Sequence, residues 1–427
     1  MKIKSQNIFG RAITHRKGKI ALRILLAIFI LGLFAPMISN DQPLYVKYKG
    51  ENYFPAFHFR TPDANKVDDV YALGNLYNMD WKNAETDNII FTPFTHSNGT
   101  FDYLNADYAS PFENQKFKNS SGGIVEMPLR YRHWLGTGKK GEDVLAVLFY
   151  GAQYAFIISF VAVAIATLIG LVLGVFSGYY GNYHFKTTLL NVAGFCMGIV
   201  PGYFYGFHLR SFTINEAFTS SQFSGVLQVL FSILILLAVI GFCYLICDWI
   251  SELFSLKKSR FIPVDSIISK MIELFVSIPA LILIISFTAL MKPSLLTIIL
   301  VIGLTGWTTI ARLVRAEMMK IKNLDYIESA RALGFNHPYI ILKHALPNIS
   351  SALFVTIIFT IAAAIILESS LTFLGIGVPH DVITWGSLLA QSKENFSAWW
   401  ISLFPGGMIF ITLYCLNQLA SRFRTSD

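Results

Sequence analysis

Charge is scarce in this chain. Of 427 residues, 54% are hydrophobic and 14% charged, where a soluble domain carries about a quarter charged residues. A soluble protein is thereby excluded. Cysteine is scarce as well: Cys196, Cys243, Cys247 and Cys415 all fall inside apolar segments, so no disulfide framework is visible. Cys243 and Cys247, spaced i, i+4, read as packing residues on one helix face rather than as a metal or redox pair. A nucleotide site is missing too. The glycines from Gly136 to Gly141 are followed by Glu142-Asp143, whereas a P-loop needs Gly-Lys-Ser/Thr to wrap phosphate. The net charge of +8 does not indicate nucleic acid, because the basic residues cluster in short loops, as positive-inside topology requires.

What is abundant is apolar sequence in runs near the ~18 residues that cross a bilayer. A basic head (Lys2, Lys4, Arg11, Arg16, Lys17, Lys19) precedes the first run, 20–38. Ala35-Pro36-Met37 is a poor cleavage site, so this run reads as a retained span with a cytoplasmic N-terminus. A polar, aromatic-rich region follows at 39–146, mixing Asp63, Asp68, Asp69, Asp80, Asp87 and Asp102 with Lys47, Lys66, Lys82 and Lys116. It is long enough for a small extracytoplasmic domain. Alternation over Tyr45–Lys49 predicts a strand. Further runs at 147–177, 187–207, 226–250, 264–290, 294–311, 349–373 and 400–420 bring the candidate spans to eight. Alternate crossings from an inside N-terminus put Lys257-Lys258-Ser259-Arg260, the 312–348 loop and the Arg422/Arg424 tail in the cytoplasm, where basic loops belong. The run 187–207, with Gly194, Gly198, Pro201 and Gly202, reads as re-entrant or broken.

Between two of these runs lies a polar helical hairpin, residues 325–348. Asp325 is placed to cap a helix of good helix formers from Tyr326 to Leu333. Gly334 sits where a left-handed residue ends it. Asn336 is placed to cap a second helix with Pro338 in its first turn, and Pro347 marks the next break. The pattern Glu328-Ser329-Ala330-x-x-x-Gly334 followed by Leu346-Pro347 resembles the EAA loop of permease subunits in ABC importers. Ser329 stands for a second small Ala, and His344 for the more common Ile, as in the peptide-importer branch.

Two more stretches carry the same resemblance. His133-Trp134-Leu135-Gly136-Thr137-Gly138, running on to Glu142-Asp143 and Gly151-Ala152, is similar to a signature of the dipeptide/oligopeptide permease branch. That branch usually has Asp at Gly138 and Arg at Glu142. Leu367–Gly377, Thr384-Trp385-Gly386-Ser387, Trp399-Trp400 and Phe404-Pro405-Gly406 resemble its closing third, in order.

The resemblance implies a non-catalytic transmembrane subunit without cofactor or metal, forming half of a pathway for peptides beside a second, related permease. It also implies ABC ATPase subunits and an extracytoplasmic solute-binding protein as partners. ATPase coupling would fall on Asp325, Tyr326, Glu328, Ser329, Ala330, Ala332, Leu333, Gly334, Leu346 and Pro347. The expected fold is an all-α multi-spanning membrane protein, a six-helix core plus an inserted pair at 182–264, with the 39–146 domain outside. The segments would be 1–38, 39–146 and a permease domain at 147–427, in the inner membrane of a bacterial cell. Glu368 and Glu273, ionisable residues in or beside apolar runs, are candidates for the substrate pathway or for helix packing. Pro279 is expected to kink its helix. Nickel chelates or another small solute are the alternative cargo. A self-sufficient transporter would need ionisable residues deep in several spans or inverted repeats, and a sensor would place function in 39–146.

Overall fold

The computed structural model describes residues 16–48, 51–57, 81–83, 88–119, 122–220, 222–254, 259–290, 293–377, 379 and 382–424. Lys2, Lys4, Arg11, Asp63, Lys66, Asp68, Asp69, Asp80, Asp87, Lys257 and Lys258 therefore lie outside the described residues. In chain order the elements are α1 (Arg16–Leu33), β1 (Tyr45–Tyr48), β2 (Glu51–Tyr53), β3 (Asn88–Ile90), β4 (Lys116–Lys118), β5 (Ile124–Glu126), α2 (Val144–Val175), β6 (Lys186–Thr188), α3 (Leu189–Tyr203), α4 (Ser211–Ser220), α5 (Gln222–Leu253) and β7 (Ser259–Phe261). There follow α6 (Val264–Ser277), α7 (Ala280–Leu290), α8 (Leu295–Ile321), α9 (Asp325–Ala332), α10 (His337–Ile340), α11 (Leu346–Phe373), α12 (Trp385–Gln391) and α13 (Trp399–Arg424). The chain divides into two compact units, 1–174 with 272–427, and 175–271.

Six helices among the described residues are long and apolar enough to cross a membrane, or seven if the bent pair α6–α7 is one span. Eight were expected. The helix α1 does not pass, because Arg16, Lys17, Lys19 and Arg23 lie within its 18 residues. The expected kink at Pro279 is a full break: the chain bends by 82° between Ser277 and Ala280. The expectation of an all-α chain also needs correction. Three small antiparallel sheets are present, in the orders β2-β1-β3, β4-β5 and β6-β7. The strand read from alternation is β1, with Val46 fully buried against Trp81 and Phe91.

In the larger unit the core runs along one stripe of each helix. Ala21 and Leu25 of α1, Ile158 and Ala162 of α2, Ile298 and Ile302 of α8, Ile361 and Ile365 of α11 and Leu416 of α13 form one buried cluster. Small residues let α2 and α8 approach, as in membrane helix pairs. A Cβ on Gly170 would lie 2.8 Å from the Trp307 carbonyl, and one on Gly303 3.0 Å from that of Ala162.

Residues 39–146 are strapped to the C-terminal third by polar bonds. Trp400 Nε1 donates to the Thr137 carbonyl at 3.1 Å, and Asn98 Nδ2 to that of Ile383 at 3.1 Å. Trp385 is fully buried beside Gly151, and its Nε1 donates to the Leu148 carbonyl at 3.0 Å. Thr384 and Ser387 form a capping box that sets the entry of α12.

The smaller unit is a hairpin of α3 and α5. The run containing Gly194, Gly198 and Gly202 is not broken: Leu189–His208 is helical throughout, with a π turn from Phe204 to His208. Its glycines form a face for close approach instead. A Cβ on Gly198 would sit 2.8 Å from Ile240 Cα, and one on Gly194 2.6 Å from Cys247 Sγ. Pro201 costs one ladder bond, which apolar helices tolerate. Cys243 and Cys247 are free thiols packed on this glycine face. The half-buried pair Asn191 Nδ2 to Asp248 Oδ1, 2.7 Å, fixes register.

Gly198→Val should therefore destabilise the chain by about 1–3 kcal/mol, the usual cost of overpacking. Gly241→Val, where nothing lies within 4 Å of the added Cβ, should be near neutral. Thermal unfolding of the detergent-solubilised chain compares the two.

Candidate functional site

The polar stretch 312–348 is not a loop over its whole length. Helix α8 continues through Arg312 and Arg315 to Ile321, because Val314, Met318 and Ile321 keep a buried face in register. Helix resumes at His337 and runs without a stop to Phe373. Pro347 marks no break. It falls in the first turn of α11, directly after a π turn at Ile341–Ala345, where a missing N–H removes little from the ladder. The exposed feature is thus a compact hairpin, 322–336, around the eight-residue helix α9.

Asp325 is not the cap of α9. Leu324 occupies that position, extended and without a side-chain bond, and Asp325 is the first helical residue. Its carboxylate, with that of Glu328, still complements the positive helix start, and its carbonyl accepts from Ser329 Oγ at 2.8 Å. Asn336 does precede α10, with Pro338 in the first turn, but its side chain makes no cap bond.

At the far end the reading from sequence is met closely. Gly334 has φ +82°, Phe335 N donates to the Ala330 carbonyl at 3.2 Å, and Gly334 N to that of Arg331 at 2.9 Å. This pair of bonds is a Schellman motif, which requires the left-handed residue. Ile327 and Ala330 are buried, Tyr326 Oη accepts from Asn348 Nδ2 at 2.6 Å, and Glu328, Ser329, Ala332, Leu333 and Gly334 are exposed. Leu346 is half-buried and Pro347 exposed on α11.

The sequence reading missed the apolar side of this hairpin. Leu333 is 76% and Leu342 66% exposed, and Phe335 and Tyr339 are also on the surface. The two rings stack at 5.0 Å, and Lys343 Nζ lies 5.3 Å from the Tyr339 centroid. Leucines and aromatics inside an otherwise polar stretch were the available signal.

A cavity of about 620 Å³ lies among α2, the α6–α7 bend, α8 and α11. Its wall is apolar except for Thr305, Thr308, Thr309, Thr356, Thr360 and Arg312. Among the described residues it includes neither Glu368 nor Glu273. Glu368 is 1% exposed on α11 and accepts from Ser369 Oγ at 3.2 Å. Thr372, beside it, links to Thr384 ahead of α12 through a 3.2 Å hydroxyl bond. Glu273 lies on the surface of α6.

Glu142, where the resembled signature has Arg, is 4% exposed. Its Oε2 accepts from Lys140 N at 2.8 Å and its Oε1 from Gln391 Nε2 at 3.2 Å. The carboxylate fills the room that Gly138 leaves, since a Cβ there would lie 2.6 Å from Oε2. The two departures from the resembled pattern thus lie side by side.

His133 and Asp143 of the same signature sit in a buried cluster with His96 and Asp102. His133 Nδ1 meets Asp143 Oδ2 at 2.8 Å, and Nε2 meets Asp102 Oδ2 at 3.2 Å. Burial opposes charge on His133, but the two carboxylates outweigh it and raise its pKa. Burial would also raise Asp102, yet the bonds from His133 and Asn105 bring it to about 2. Asp143 is likewise held low, its burial outweighed by the bond from His133. Burial, Lys82 and the His133 cation push His96 to about 3, so it stays neutral.

His96, His133 and Asp143 bring ligand atoms within 4.8 Å of one another, a donor set suited to zinc. Two features favour a proton-held clamp. Both His133 nitrogens already face carboxylates, and its ring stacks on His96 at 4.0 Å and 27°. An ion in the plane of one ring falls outside the plane of the other.

A bundle of apolar helices around a cavity, with a polar hairpin outside it, is the architecture of a membrane transport component. Residues 249–424 match the model for the binding-protein-dependent transport system inner membrane component. A putative peptide transport system permease protein of Brucella suis biovar 1 is 35% identical over 161 residues, covering 38% of this chain and 54% of that protein. The dipeptide transport system permease protein DppC of Bacillus subtilis is 36% identical over 158 residues, 36% of this chain and 49% of its own. The inner membrane ABC transporter permease protein YejE of Escherichia coli is 25% identical over 398 residues, covering 91% and 86%. The chain thus spans about half the length of the first two relatives and most of the third. The resemblance to peptide-transport permeases drawn from the motifs holds, and several apolar helices agree with a multi-pass inner-membrane protein.

The clamp gives a pH prediction with opposite signs at its two histidines. A depressed His96 costs stability as pH falls from 6.5 toward about 3, because only the unfolded chain takes the proton. A raised His133 contributes stability that is full below 6.5 and fades as pH climbs through its higher folded value. Relative to the parent, His96→Gln should gain stability as pH falls from 6.5 toward about 3, and His133→Gln should lose it as pH falls through the raised His133 value to 6.5, with no further change below. Melting temperatures measured from pH 4 to 8 report both slopes.

Proposed function

We propose that this chain is the transmembrane permease subunit of a binding-protein-dependent ABC importer of the dipeptide/oligopeptide type. The carrying observation is the hairpin: a Schellman-terminated helix with Leu333, Phe335, Tyr339 and Leu342 exposed beside it. Such a rigid knob with an apolar face suits insertion into a groove on a separate ATPase, and exposed clusters of this kind commonly mark partner sites. The permease itself does no covalent chemistry. The ATPase supplies the energy, and its closure moves the hairpin and rocks the bundle between two states.

In this reading α1 is a further span, shielded by its partners despite its basic start, and the α6–α7 pair is one more. Eight crossings then place both termini and the hairpin in the cytoplasm. The 39–146 region faces outward, where a solute-binding protein delivers cargo, and 182–264 is an inserted pair of spans. A second, related permease supplies the other half of the pathway, which includes the 620 Å³ cavity. Peptide cargo is supported by the names of the Brucella and Bacillus relatives.

Gly334→Asp tests the docking role. The substitution puts a side chain at φ +82°, a conformation costing an ordinary residue roughly 1–2 kcal/mol, and a charge at the edge of the apolar face. Peptide uptake and co-purification of the ATPase should be lost, while the amount of chain inserted in the membrane stays at the parental level. Uptake at the parental rate by this variant would remove the hairpin from the coupling path.

A further inference from the structure

The wall of the 620 Å³ cavity has an uneven hydrogen-bonding character. Thr305 Oγ1 donates to the Val301 carbonyl at 2.8 Å, Thr356 Oγ1 to that of Ala352 at 3.0 Å, and Thr360 Oγ1 to that of Thr356 at 2.8 Å. Each of these hydroxyls commits its proton to its own helix and keeps lone pairs for anything in the cavity. The threonines therefore present acceptors, which suit amide N–H groups and an ammonium.

Arg312 supplies the opposite character. It is the one ionised side chain among the described residues of the wall, which include no carboxylate. Its side chain is exposed. A guanidinium offers five donors in a planar fork that matches a carboxylate two bonds at a time. Phe275, Val276 and Leu283 line the same cavity, and an apolar surround strengthens a charge-assisted pair relative to water.

Acceptors along the wall with one fixed cation form a complement to a chain that has N–H groups along its length and one negative end. We infer that Arg312 binds the free carboxylate of the transported solute and selects carboxylate-bearing peptides over amidated or cationic ones. This rests on the permease reading and deepens it. A cationic solute gains nothing at Arg312 and meets a like charge, which weakens the case for a cationic chelate as cargo.

The test compares one labelled tripeptide with its C-terminal amide, in proteoliposomes holding the assembled transporter. Each is supplied at a concentration that saturates the binding protein, so that delivery is equal. The parent should move the acid at least roughly tenfold faster, the value of one charge-assisted bond. Arg312→Gln should bring the ratio near one, and Arg312→Lys, which keeps the charge but loses the fork, should retain part of the preference. ATPase co-purification and membrane insertion of both variants are measured alongside, since Arg312 lies on the helix that leads into the hairpin and a loss of coupling would slow acid and amide alike.

An Arg312→Gln variant that slows both peptides equally, or leaves the ratio unchanged, would show that the arginine serves only topology or folding, and would overturn the inference. Equal transport of acid and amide by the parent would do the same while leaving the permease reading intact. A parent that moves neither peptide, although the complex hydrolyses ATP, would overturn the peptide reading and this inference together.

Discussion

The arrangement of the larger unit depends on where one indole goes. Trp385 is fully buried, its Nε1 satisfied by the Leu148 carbonyl and its ring laid against Gly151. A carbonyl in the first turns of α2 otherwise has little need of an outside partner, whereas a buried indole N–H must find one. The need is met 237 residues away in sequence. That single bond closes the bundle at one end, because α12 cannot reach it unless α11 and α2 are side by side. Gly386 then has to pack on Ser369 and Thr372, which seals Glu368 beneath the same lid. The carboxylate is held among hydroxyls at a helix junction rather than offered to a pathway.

The same end explains why the polar region stays with the bundle. Trp400 reaches the Thr137 carbonyl, and Gln391 reaches Glu142. Two of the stretches that resembled one family in the sequence are therefore one structure in space: the Gly136–Gly151 signature and the Trp385/Trp400 segment. Their glycines mark places where an aromatic ring or a carboxylate needs the room that a Cβ would occupy. Glu142 beside Gly138 shows the constraint working as a pair. The acid and the Gln391 amide occupy room that a side chain at position 138 would contest.

Sequence alone conveyed the parts of this fold that follow from local rules. Six of the eight apolar runs, the β1 alternation and the left-handed Gly334 depend on residues within a few positions of each other, and these are found where they were expected. What it conveyed poorly depends on distant partners. Gly194, Gly198 and Gly202 look like breakers when read alone, yet α5 supplies the surface that makes them a packing face. Arg312 and Arg315 look like the start of a loop, but the buried face through Met318 carries the helix onward to Ile321. Asp325 is a good capping residue by type, but the chain enters α9 one residue earlier. The threonine-lined cavity was hidden for a similar reason, since its wall combines residues from four separate helical segments.

The hairpin and the cavity stand at two ends of one element. The helix α8 carries Thr305, Thr308, Thr309 and Arg312 in the cavity wall and then runs on to Ile321, four residues before α9 begins its own turn at Asp325. From the other side, α11 carries Thr356 and Thr360 and is continuous with α10. Both walls of the cavity are thus the uninterrupted continuations of the two helices that hold the hairpin. A continuous α-helix transmits axial and rotational displacement over such lengths because its backbone bonds are satisfied throughout. The π turn at Ile341–Ala345, with Pro347 directly after it, loosens that ladder along α10–α11, and single π turns are common at functional sites. A displacement of α9 by a partner would therefore reach the threonines and Arg312 directly through α8, and through α11 by way of a softer joint. In the proposed permease, such an asymmetry would turn a push on the hairpin into relative movement of α8 and α11 at the cavity.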